Sequence, residues 1–149
     1  MGIIKIVENV KEIHKEYVVL IKVGNFYYTY GRDSYIISYI FQYKINLLKN
    51  NIYSCAFSQN AIHKVTAKLE NEKINYLILD RRNNYQVDEK CNHKNLNRYN
   101  KYYEKAKTEI SSRMRIEKIY QYLLDNKSNK DLIAQMEKVM NEGRKIQNN

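Results

Sequence analysis

The sequence has no proline, no tryptophan, four glycines and two cysteines in 149 residues. Without proline and with so little glycine, collagen-like, proline-rich and Gly/Ser low-complexity readings are excluded. Two cysteines, Cys55 and Cys91, cannot build a disulfide framework. Free thiols in a reducing, cytoplasmic compartment are therefore expected. Cys91-x-His93 offers only two metal ligands and cannot close a zinc site alone, so neither metal nor cofactor is expected. The longest apolar runs, 17–21 (YVVLI) and 76–79 (YLIL), fall far short of the roughly 20 residues that span a bilayer. The opening MGIIKIVENVKEIHKE becomes charged too early for a signal peptide. No membrane partner is expected.

What is abundant is positive charge and tyrosine. Lys and Arg number 26 against 16 Asp and Glu, a net charge of +10, and there are 15 tyrosines. A basic balance favours polyanionic partners, chiefly nucleic acid. The length suits one domain with an appendage and is enough to bury a substantial core. The charge is uneven. Residues 1–80 carry 10 basic and 7 acidic side chains, and residues 81–149 carry 16 and 9. We therefore divide the chain into a domain at 1–90 and a basic helical appendage at 91–149.

Along the first part, residues 3–7 (IIKIV) read as a short strand and 8–16 as a short helix. YVVLIKV (17–23), Gly24-Asn25 and FYYTY (26–30) form the strongest local pattern, a β-hairpin with a tight primed turn. Asp33 or Ser34 then caps a helix to about residue 43. Two short strands follow around Asn50-Asn51, and Ser58 or Asn60 caps a second helix ending near residue 73. INYLILD (74–80) is another buried strand, RRNN a turn and NYQV an edge strand. The alternation predicts an α+β fold with a mixed β-sheet flanked by helices. Residues 96–124 and 131–146 carry helical apolar stripes separated by DNKSN, which predicts a C-terminal helical hairpin.

Two blocks resemble the N-terminal mismatch-recognition domain of the MutS DNA mismatch-repair family. The family's strand, Gly-Asp-Phe-Tyr-Glu-x-Phe word and Asp-led helix are similar to Gly24-Asn25-Phe26-Tyr27-Tyr28-Thr29-Tyr30 with Asp33 opening the helix. Its Gly-Ile-Pro-Tyr-His-Ala-Val…Ala-Lys-Leu helix is similar to Ala56-Phe57-Ser58-Gln59-Asn60-Ala61-Ile62…Ala67-Lys68-Leu69. The resemblance spans about residues 10–85. It implies that Phe26 wedges into the minor groove and stacks on a mispaired base, where unstacking is cheap. Strand alternation puts Phe26, Tyr28 and Tyr30 on one face and Tyr27 and Thr29 on the other. This sequence departs from the family at Tyr28, where a phenol replaces the family's Glu, and at Asn25 and Ser58, which replace its Asp and Pro. No Gly-x-x-x-x-Gly-Lys-Ser/Thr phosphate loop occurs. The expectation is a stand-alone reader domain with no motor.

The implied DNA contacts are Asn25, Phe26 and Tyr28, with Arg81, Arg82 and Lys68 for the phosphates. Phe26 can equally be a core aromatic, and the basic residues after Asp80 a solvated helix face. The first functional reading is non-catalytic binding of duplex DNA at mispaired or distorted sites. The second is an interaction module that has lost mismatch reading and binds a protein, or a second copy, through 96–146. The third is a Mg-dependent nuclease built on Asp80 and Asp88-x-Lys90.

Overall fold

The computed structural model describes residues 2–147. In chain order the elements are α1 (Ile3–Ile13), β1 (Val18–Val23), β2 (Phe26–Tyr30), α2 (Arg32–Phe41), β3 (Ile45–Leu47), β4 (Tyr53–Ser58), α3 (Ile62–Asn71), β5 (Tyr76–Asp80), β6 (Gln86–Cys91), α4 (Tyr99–Asp125) and α5 (Lys130–Gln147). The six strands form one sheet in the order β3-β4-β2-β1-β5-β6. β1 pairs with β5 in parallel, and every other neighbouring pair is antiparallel. The fold is α+β, with a mixed sheet and a C-terminal helical hairpin.

The expected strand at 3–7 is instead the first half of a helix running to Ile13. Its β-branched residues suggest a strand, yet Ile3, Val7 and Val10 recur at helical spacing and pack against Val19, Ile21, Leu77 and Leu79. Burying that stripe outweighs the few tenths of a kcal/mol per residue by which Ile and Val disfavour a helix.

The hairpin forms where local chemistry asks for it. Val23 pairs with Phe26 across a two-residue turn. Gly24 takes φ +62° and Asn25 stays at negative φ, the pattern of a type II′ turn with glycine first. At the far end of β2, Gly31 adopts φ 59°, ψ −131°, a region essentially confined to glycine, and so turns the chain sharply into α2. Gly31, not Asp33 or Ser34, is the N-cap of α2, and no side chain caps it. The Ser58 hydroxyl does accept from the Asn60 N–H, starting the 3₁₀ turn that leads into α3.

The two faces of the sheet carry different layers. Val18, Leu20, Tyr27, Cys55, Phe57, Tyr76 and Ile78 point to one side, where α2, α3 and the first turns of α4 cover them through Ile36, Ile37, Val65, Leu69, Tyr99 and Ala106. Val19, Ile21, Leu77 and Leu79 point to the other, under α1. The edges are blunted: β3 has three residues, and β6 (QVDEKC) is charged and offset by an irregularity at Ile78/Leu79. Both features discourage edge-to-edge pairing.

Asp33 turns inward from the first turn of α2 and is 1% exposed. One carboxylate oxygen accepts from the Val19 N–H at 3.0 Å. The other accepts from Lys11 Nζ at 2.9 Å and the Tyr99 hydroxyl at 2.6 Å. One carboxylate thus joins β1, α1, α2 and the start of α4.

The first compact unit extends to Ile110 and the second begins at Ser111. Within α4 the stripe Tyr99, Ala106 and Ile110 is buried. In the second unit Ile116, Ile119, Tyr120 and Tyr122 of α4 and Val139, Met140 and Ile146 of α5 are exposed. Asn129 caps α5, its side-chain oxygen accepting from the Leu132 N–H. Among the described residues, no helix is long and apolar enough to cross a membrane.

Candidate nucleic-acid interface

Phe26 opens β2 at the tip of the hairpin, and its side chain is half exposed, at 48%. Its backbone is held on both sides, paired with Val23 of β1 and Ser58 of β4. The Asn25 carbonyl accepts from the Gln59 N–H at 2.8 Å, so the turn itself is tied to the next loop. An apolar ring is thereby presented outward from a braced backbone.

The alternation along β2 is the one expected from the sequence. Tyr27 and Thr29 are buried on the α2/α3 side, where the Tyr27 ring stacks on Phe57 with centroids 5.5 Å apart. Phe26, Tyr28 and Tyr30 face the α1 side. The Phe26 and Tyr28 rings are neighbours, 6.5 Å between centroids and tilted. Tyr28 and Tyr30 also meet Arg81, Tyr85 and Val23 around a pocket of about 390 Å³. Burial, with the Tyr28 and Tyr85 phenols close by, pushes the Tyr30 hydroxyl above its usual range.

The basic residues divide. Arg81 lines the tyrosine pocket, and among the described residues it has no carboxylate partner. Arg82 is bound to Asp80 at 3.2 Å on the other side of the turn. Donation from the Arg82 side chain and backbone N–H holds the Asp80 carboxyl below its usual range. Lys68 is elsewhere. It sits on α3, on the opposite side of the sheet from Phe26, pairs with Glu72 at 3.2 Å and lines a groove with Ile40 and Phe41. The structure therefore brings Asn25, Phe26, Tyr28 and Arg81 together and leaves Lys68 apart.

Two other cations after Asp80 are used internally. Arg98 lies 3.7 Å from Glu72 and over the Tyr102 ring, and Lys90 lies over the Tyr17 ring. Asp80 and Lys90 of the nuclease reading lie on opposite faces of the sheet. Asp80 caps the turn and binds Arg82, while Lys90 faces Tyr17 on the α1 side. Among the described residues no group of three or more His, Cys, Asp or Glu could hold a metal ion. Cys91 Sγ lies 3.4 Å from His93 Nε2, and burial pushes this thiol up, away from the thiolate a metal needs.

Tyr85 is the residue that sequence reasoning missed. It follows Asn84, and both adopt positive φ, 55° and 60°. Asn-Asn marks the turn, but nothing local says that the chain returns Tyr85 beside Tyr30. Only the β5–β6 pairing brings it there.

No curated protein gives a significant match to the chain. A family model, MutS domain I, matches residues 1–99. That stretch holds the whole six-stranded sheet, the hairpin and α1 to α3. It covers most of the 149 residues, and the chain belongs to the MutS domain I family.

Proposed function

We propose that this chain is a non-catalytic DNA-binding module that engages duplex DNA at mispaired or distorted sites with Phe26 as an aromatic wedge. The observation that carries the reading is Phe26 itself: a half-exposed ring on a backbone paired on both sides. A large apolar side chain usually gains by folding inward. One held out by a rigid turn is suited to enter a base step, as minor-groove wedges do. Tyr28 beside it is neutral and both donates and accepts hydrogen bonds, where the family's carboxylate only accepts. The net charge of +10 supplies phosphate attraction.

The test is fluorescence anisotropy with matched, mismatched and bulged duplexes across a salt series. Affinity is expected to fall steeply with salt on all three. The preference for mismatch or bulge over matched duplex is expected to survive, because stacking is far less salt-sensitive than phosphate neutralisation. Equal affinities that vanish together would reduce the interaction to generic charge.

A second reading is favoured by the second compact unit. Ile116, Ile119 and Tyr120 of α4 and Val139 and Met140 of α5 each expose more than half their surface. Apolar helix faces of this kind suit a partner helix or a second copy. Removal of residues 111–149 is expected to lower the sedimentation-derived mass to that of a single chain, or to abolish recovery of a protein partner. An unchanged assembly after that truncation would sink this reading.

A further inference from the structure

The pocket beside Phe26 has a shape and chemistry that wedging alone does not use. Three phenol rings, Tyr28, Tyr30 and Tyr85, line it with Val23 and Arg81, and Gly2 and Ile3 at the start of α1 border it. At about 390 Å³ it falls within the roughly 300–1,000 Å³ typical of small-molecule sites. None of its lining residues is acidic. The three hydroxyls take no hydrogen-bond partner among the described residues, and none of them is a fully buried, unsatisfied atom. Tyr85 holds φ +60°, a backbone region that bulky residues rarely occupy and that gathers at ligand sites.

We infer that this pocket receives one nucleobase displaced from the duplex, with Arg81 on an adjoining phosphate. The inference rests on the reading of Phe26 as a wedge. A wedge unstacks the step it enters, and an unpaired base there leaves the stack at little cost; the Tyr28 ring lies 6.5 Å from the Phe26 ring. Phenol faces stack on any base. Phenol hydroxyls can pair with both donors and acceptors on a base edge. Arg81, with no carboxylate partner, is suited to a phosphate oxygen. The departure at Tyr28 fits this use. A glutamate there would set a negative charge in a pocket meant for a nucleotide, whereas tyrosine adds a stacking wall.

The experiment compares two bulged duplexes that differ only in the unpaired nucleotide, which carries thymine in one and is abasic in the other. Anisotropy is read on the full chain, with the matched duplex as reference. The thymine bulge is expected to bind about tenfold more tightly than the abasic one, the scale of a single base–aromatic stack. Tyr85→Ala is expected to bring that ratio within about twofold, and Tyr85→Phe, which keeps the ring, to retain most of it. Equal affinity for the two bulges, both above the matched duplex, overturns the pocket and leaves the wedge standing. No preference for either bulge over matched duplex overturns both. Phe26 stacking on the thymine would favour that bulge too, so a tenfold ratio that Tyr85→Ala leaves unchanged also overturns the pocket, and retention in Tyr85→Phe shows that the fold is kept.

Discussion

Phe26→Ala is expected to remove the preference for a mismatched over a matched duplex. One base–aromatic stack contributes about 1–3 kcal/mol, so the affinity ratio should fall by roughly 5- to 150-fold, towards unity. Matched-duplex binding, which phosphate contacts dominate, should fall far less. The fold should tolerate the change, because Phe26 is half exposed and its backbone pairing with Val23 and Ser58 needs no side chain. Parallel titrations of both duplexes at one salt concentration provide the measurement. Proportional loss on the two would return Phe26 to the status of an ordinary hairpin aromatic.

Asp33→Ala should have the largest effect on stability. It would leave the Val19 N–H, the Lys11 ammonium and the Tyr99 hydroxyl without the carboxylate they share. Removing one partner of a buried ion pair costs about 3–5 kcal/mol, because the remaining charge stays desolvated. In a chain of this length that corresponds to a fall in Tm of roughly 6–20 °C. Tyr99→Phe removes one donor to the charged carboxylate and should cost about 1.5–3 kcal/mol. Thermal unfolding followed by circular dichroism compares the two. A similar, small shift for both would show that the four elements are held by apolar packing rather than by this carboxylate.

The parts legible from sequence were those written in local chemistry. Gly24-Asn25 between two β-rich runs specifies the hairpin, and period-2 alternation along 26–30 assigns the faces of Phe26, Tyr27 and Tyr28 correctly. The first helix was misread because its residues favour strands and only tertiary burial on Val19 and Leu77 decides otherwise. Asp33 looked like a helix cap because Asp before an apolar stripe usually is one. Its true partners, Val19, Lys11 and Tyr99, come from three other elements, and no spacing within the helix reveals them. Lys68 follows the same logic. A helix shows which of its faces is apolar but not which side of the sheet it covers, and α3 lies opposite Phe26. Tyr85 reaches the pocket only through the β5–β6 return.

The position of β1 in the sheet also orders the events of folding. Its antiparallel partner β2 follows across a two-residue turn, whereas its parallel partner β5 is synthesised only after α2, β3, β4 and α3. Hairpins close in about 1–10 μs, while parallel pairing between distant segments is slow because the loop entropy comes first. During synthesis, the hairpin that carries Phe26 can therefore form early, with one edge of β1 still open. Val18 to Lys22 then await Tyr76 to Asp80, and until those residues leave the ribosome the nascent chain exposes its most apolar strand. That interval is when aggregation threatens this protein, and when a chaperone would matter most.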